Sequence, residues 1–185
     1  LVNSIICLEL AEHNGHKESY AYHQIGIQYY RLFDKLAQKS AENPTPTIQN
    51  ALNELNFLRI GGLPRMLQVC KNDKGEHGHK PKRTALAYAL SNFREALSRG
   101  LPQRYGDSYI GNCLRHHLNL EKLNPESDED LKTLRTAKTL RISKIAEKHL
   151  SSAAEGKMKN HEDCAADYST LAEVQFRIAD LATST

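Results

Sequence analysis

Apolar residues recur along the chain at intervals of three and four, the spacing that gathers side chains on one face of an α-helix, and no segment keeps up the apolar/polar alternation of a strand. The clearest stripe runs from residue 16 to about 41, where Tyr22, Ile25, Tyr29, Leu32, Phe33 and Leu36 line one side of a helix. Gly26 lies in that stripe; its missing side chain costs about 1 kcal/mol of helix propensity and allows another helix to come close. Asn43-Pro44-Thr45-Pro46 breaks the pattern, and Pro46 at a first helical position predicts a second helix over 46–59 carrying Ile48, Ala51, Leu52, Leu55 and Leu58, stopped by Gly61-Gly62.

Residues 72–81 combine turn formers with charge and read as a mobile surface loop. A helix over 81–99 presents Leu86, Leu90, Phe93 and Leu97, with Gly100 as its left-handed cap ahead of Pro102. The next spans 107–120, turning Tyr109, Ile110, Cys113, Leu114 and His117 inward. Asn124-Pro125 and the acids Glu126, Asp128, Glu129 and Asp130 form a strong start signal for a helix reaching Ala154 and ended by Gly156. Asn160 caps the last helix, whose buried face is Tyr168, Leu171, Ala172, Ile178, Ala179 and Ala182. With a short N-terminal helix this gives about seven helices, an all-α fold packed as an irregular antiparallel bundle or a short solenoid of helical hairpins.

The 185 residues suit a single helical domain, 1–185, large enough to bury a core without staples. Ten glycines, six prolines and 25% charged residues exclude collagen-like and low-complexity classes. No apolar run is long enough for a membrane span, and the run from Val2 to Leu10 is broken by Asn3, Ser4 and Glu9, so it does not read as a signal peptide. Because the first residue is Leu, the sequence reads as a fragment of a longer chain. Cys7, Cys70, Cys113 and Cys164 are far apart among apolar residues, which points to buried, reduced thiols and a cytoplasmic location.

Catalytic signatures are absent: there is no His-Glu-x-x-His, no phosphate-binding glycine loop and no Gly-x-Ser-x-Gly, so no enzyme and no cofactor is expected, although an active site assembled from distant residues leaves no such trace. Cys113 with His117, four apart, and His161 with Cys164, three apart, have spacings that permit a tetrahedral zinc. His117 lies within an apolar stripe, however, and reads as a neutral core histidine, so no metal site is expected.

Abundant capped helices without catalytic motifs suit a protein-interaction domain, an adaptor or scaffold, whose partner is another protein or a second copy of itself. Tyr20, Tyr22 and Tyr30 cannot all face one core, because residues 20 and 22 lie about 200° apart around a helix. With Gln24 and Arg31 they are expected to rim the partner surface. Lys138, at the centre of a stripe of Leu131, Leu134, Ile142 and Ile145, either snorkels, meets a buried carboxylate, or marks an interface. The net charge of +3 is mild, but residues 71–83 hold five cations against Asp73 and Glu76. The alternative expectation is therefore a nucleic-acid or other polyanion partner, bound by Lys80, Lys82 and Arg83 together with Arg141, Lys144 and Lys148 on the basic helix face 132–148.

Overall fold

The computed structural model describes residues 1–38, 80–121 and 129–183. These residues are all-helical: α1 (Val2–His13), α2 (Ser19–Gln38), α3 (Lys80–Ser98), α4 (Gln103–Glu121), α5 (Glu129–Lys159) and α6 (Ala165–Thr183) pack as helical bundles, with no strand among them. Six helices stand against about seven expected. The 46–59 helix, Cys70, residues 72–79 of the expected loop and the start signal at 124–128 lie outside the described residues, as do the side chains of Leu36, Lys80, Leu131, Lys132, Leu134 and Arg135. The chain divides into two compact units, Leu1–Gly100 and Leu101–Thr185.

In the first unit α2 packs against α3, and α1 against α2. Tyr22, Ile25, Tyr29, Leu32 and Phe33 are buried, as the stripe predicts. Gly26 is the point of closest approach: a Cβ there would lie 2.7 Å from Cε1 of Phe93, which is fully buried. The buried face of α3 is rotated from the expected one. Ala85, Leu86, Ala89, Phe93 and Ala96 line it, while Leu90 and Leu97 are half-buried, because the small alanines let the helices approach where leucines would hold them apart. The Tyr29 hydroxyl donates to Oε1 of buried Glu9 at 2.6 Å, tying α1 to α2. At the other end, Arg99 stacks over the Tyr22 ring at 4.7 Å and donates to the Lys17 carbonyl at 3.0 Å. Gly100 adopts φ +91°, the left-handed cap the sequence predicts. Cys7 is exposed, not buried, since Ile5, Ile6 and Glu9 form the inward face of α1.

In the second unit α5 packs against both α4 and α6. Helix α4 starts at Gln103, four residues before the expected start, with the Pro102 carbonyl accepting the Tyr105 amide at 3.0 Å. Asp107, the expected first residue of this helix, is instead buried inside it and accepts a hydrogen bond from His149 Nδ1 at 2.8 Å. Burial acts to raise the Asp107 pKa, but hydrogen bonds from His149 and Ser152, the His149 charge and Gln103 outweigh it and hold the carboxyl below its ordinary range. Helix α5 does not stop at Gly156. A Cβ there would lie 2.9 Å from Cβ of Arg104, so this glycine serves the approach of α4. The helix ends at Lys159 in a Schellman turn: His161 takes φ +57°, its amide reaches the Met158 carbonyl at 3.1 Å, and the Glu162 amide reaches the Lys157 carbonyl at 2.9 Å. Asn160 therefore belongs to the end of α5, and Asp163 Oδ1 accepts the Ala165 amide at 3.0 Å to start α6.

The core of this unit is Ile110, Cys113, Leu114, Leu118, Leu120, Ala146, Leu150, Ala153, Ala154, Leu171 and Val174. The buried face of α5 again consists of small residues, Ser143, Ala146, Ala153 and Ala154 around Leu150, and a Cβ on Gly111 would come within 2.5 Å of Leu150 Cγ. On the stripe around Lys138, for which snorkelling, a buried carboxylate partner and an interface were the alternatives, Ile142 is half-buried, Ile145 is 39% exposed and Lys138 is exposed. Among the described residues no helix is long and apolar enough to cross a membrane.

Candidate interaction surface

Helix α6 carries more apolar residues than one face can hold. Asp167, Leu171 and Val174, with half-buried Ile178 and Leu181, turn toward α4 and α5. On the opposite side Ala165, Tyr168, Ala172, Phe176 and Ala179 are exposed at intervals of three and four, with Phe176 78% exposed and Tyr168 42%. The buried face expected for this helix mixes its two sides: Tyr168, Ala172, Ala179 and Ala182 are exposed, and Val174 is the core residue that expectation omits.

What fixes the outer face is a ladder of polar side chains between α4 and α6. Arg104 Nε and the Tyr105 hydroxyl donate to Glu162 Oε1 at 2.8 and 3.0 Å, Ser108 donates to buried Asp167, Arg115 Nη1 donates to Glu173 Oε2 at 3.0 Å, and Arg177 donates to Asn119. Partners are 57 to 59 residues apart at every rung, with Glu162 in the turn before α6 and the others on the two helices, so α4 and α6 run parallel and in register. Lys157 Nζ of α5 joins the ladder at Asp167 Oδ2, 2.6 Å away. At the other edge Gln175 donates to Glu147 of α5 at 3.1 Å, and the Tyr168 hydroxyl lies 3.9 Å from the sulfur of Met158, itself 53% exposed. Rolling the outer face of α6 inward would break these bonds.

Electrostatics at the ladder are set by the same packing. Burial first, and then the adjacent Arg115 charge, push the His116 pKa down to about 4. The geometry agrees, because Arg115 Nη2 lies 3.0 Å from His116 Nε2 and arginine can only donate, which makes Nε2 the acceptor of a neutral ring.

The residues singled out from the sequence are distributed unevenly. Tyr20 is 65% exposed and Arg31 is exposed, while Tyr30 is half-buried with its ring 6.2 Å from that of Phe33. Tyr22 is a correction: it lies in the core at 6% exposure, where burial and then Glu12 raise its pKa. Lys82 is another, for it is buried on α3 at 8% exposure and burial lowers its pKa, while Arg83 beside it is exposed. Residues 80–83 are helical, so the expected loop ends before Lys80. On α5, Lys138, Arg141, Lys144 and Lys148 are all exposed, and their spacing puts them along one side of the helix. Of the zinc candidates, Cys113 is buried, His117 and Cys164 are half-buried and His161 is exposed at the α5 turn; among the described residues no three His, Cys, Asp or Glu side chains gather as a metal site.

Sequence reasoning missed Phe176 and Met158. The signal for Phe176 was present, because Ala172, Phe176 and Ala179 continue an apolar set that Leu171, Val174 and Ile178 already complete on the other side. Comparison with protein-family models, with curated proteins and with solved structures gives no match for this chain.

Proposed function

We propose that the protein is a helical protein-interaction module and that the outer face of α6 is its contact surface. The observation that carries this reading is Phe176, 78% exposed on a helix whose opposite face is already packed. A phenylalanine left in water forgoes about 1.5–3 kcal/mol that burial would supply, and an apolar face rimmed by polar rungs is the usual anatomy of a docking surface. Ala172 and Ala179 beside it leave room for a partner backbone.

Replacing Phe176 with a benzophenone amino acid of similar shape and irradiating the chain in its native cell tests this. A discrete protein adduct is expected from position 176 and from position 172, and none from exposed Glu155 on α5. Equal, diffuse labelling from all three positions would overturn it. Polyanion binding is a second reading, supported by the row of exposed cations Lys138, Arg141, Lys144 and Lys148 on α5. The burial of Lys82 weighs against the part of that reading placed at the start of α3.

A further inference from the structure

We propose that His149 is a phosphoryl-accepting site, its Nε2 taking the group from a donor whose leaving group needs no acid, a phosphoramidate or an acyl phosphate, while Asp107 holds the ring. This site stands apart from the α6 face and does not depend on it. His149 Nδ1 lies 2.8 Å from Oδ1 of Asp107, which comes 42 residues earlier and whose side chain is 2% exposed. An ionised carboxylate only accepts, so Nδ1 carries the ring's proton and Nε2 its lone pair. Nε2 makes no hydrogen bond among the described residues and is not enclosed: 28% of the side chain is exposed, at the rim where α5 meets α4.

An imidazole held in this way can ligate a metal, take a proton or attack an electrophile. Among the described residues no three His, Cys, Asp or Glu side chains gather, so Nε2 lacks the co-ligands that would hold a metal. Ser152, the hydroxyl one turn on along the same side of α5, hydrogen-bonds Asp107 and is not a nucleophile for His149 to activate. Attack by Nε2 itself remains, and the surroundings choose the electrophile. Around α5, Arg141 lies about 80° and Lys148 about 100° to the solvent side of His149, and both are exposed. With Lys138 and Lys144 they make four exposed cations on this flank, against Glu155 among the described residues, while Glu147 lies on the far edge, bonded to Gln175 of α6. Such a surface attracts a phosphoryl donor, which is anionic.

The step balances on these groups. The Nε2 lone pair forms the N–P bond as the P–O bond of an acyl phosphate breaks, and the carboxylate leaves with the electron pair. From phosphoramidate, whose nitrogen already carries its third proton, ammonia leaves as the P–N bond breaks. The ring becomes a cation that keeps its Nδ1 proton, and the Asp107 charge offsets it, as a buried carboxylate does for an imidazolium. No protein group gains or loses a proton. Asp107 never touches the donor; it is a positioning residue.

The probe is phosphoramidate, incubated with the folded chain, and mass spectrometry at alkaline pH reads each histidine. His149 should be labelled several-fold faster than His13, His16 and His161, which are all more exposed. Accessibility alone gives the opposite order, and that order would overturn the proposal. Isomer-specific antibodies should find the phosphoryl group on Nε2; the Nδ1 isomer at position 149 would overturn it as well. Asp107→Asn should slow labelling of His149 about tenfold or more while the other histidines keep their rates, and an unchanged His149 rate would refute the role of Asp107. Because Asp107 is buried, circular dichroism checks that this variant folds, and the wild-type order and isomer decide the matter without it. Arg141→Gln combined with Lys148→Gln should slow phosphoramidate at His149 several-fold and leave its reaction with diethylpyrocarbonate, an uncharged electrophile, unchanged. The same effect on both reagents would refute selection for a phosphoryl donor.

Discussion

Replacing Gly26 by alanine sets two well-known effects against each other at one atom. Alanine is the better helix former, by about 1 kcal/mol, and on an exposed helix the substitution would stabilise. Here the new Cβ would sit 2.7 Å from Cε1, 2.8 Å from Cδ1 and 3.1 Å from Cζ of Phe93. Carbon atoms at their best separation are about 3.5–4.0 Å apart, so the ring or the helix must shift by most of an ångström. Phe93 is fully buried with His23 against it at 5.9 Å, and its ring has no open side to swing into. Overpacking of this kind costs about 1–3 kcal/mol, which leaves a net loss of about 1 kcal/mol after the propensity gain. Hydrogen exchange of the α2 and α3 amides is the suitable assay, because it reports the first unit and leaves α4 to α6 as an internal reference. Phe93→Leu frees space at the same point, so the double variant should lose less than the two single losses added together. Slower exchange in Gly26→Ala than in the wild type would refute the argument, since it would mean that propensity outweighs the close approach.

Asp167→Ala should destabilise the second unit by about 3 kcal/mol, because it strands the largely buried Lys157 ammonium and the Ser108 hydroxyl; exchange of the α4 to α6 amides measures it, and a loss below about 1 kcal/mol would show that Lys157 reaches water unaided. The second unit should lose stability as pH falls from about 6.5 toward about 4, because unfolded His116 takes up a proton that the folded state resists until its depressed pKa is reached; His116→Gln should flatten acid titrations followed by circular dichroism over that window. Below the ordinary carboxyl value of 3.8, the Asp107 contribution, fully present at higher pH, should be lost in turn, and Asp107→Asn should remove that step. If the α5 cations bind polyanions, affinity for duplex DNA should fall with salt, and changing Arg141, Lys144 and Lys148 to Gln should reduce the slope of log K against log salt by about 0.9 for each phosphate no longer neutralised; an unchanged slope would remove α5 from that site.

The all-helical class, the stripe of α2, the role of Gly26 and the cap at Gly100 were legible in the sequence because each is a local signal: period, propensity and turn chemistry act within a few residues. The register of helix against helix was not. On α3 and α5 the large aliphatic residues suggested one buried face, yet alanines and a serine fill the seam, since close approach of two backbones gains more packing than a few bulky side chains held apart. Gly156 and Asp107 carried local signals for a helix stop and a helix start; Arg104 against the one and His149 against the other recruited them for packing and pairing instead. The outer face of α6 shows the division most plainly. The sequence determined that this helix has apolar residues on two opposite sides, and only the tertiary structure decided which set is core, because the ladder from α4 and the Gln175–Glu147 bond to α5 fix its rotation and leave Phe176 facing outward.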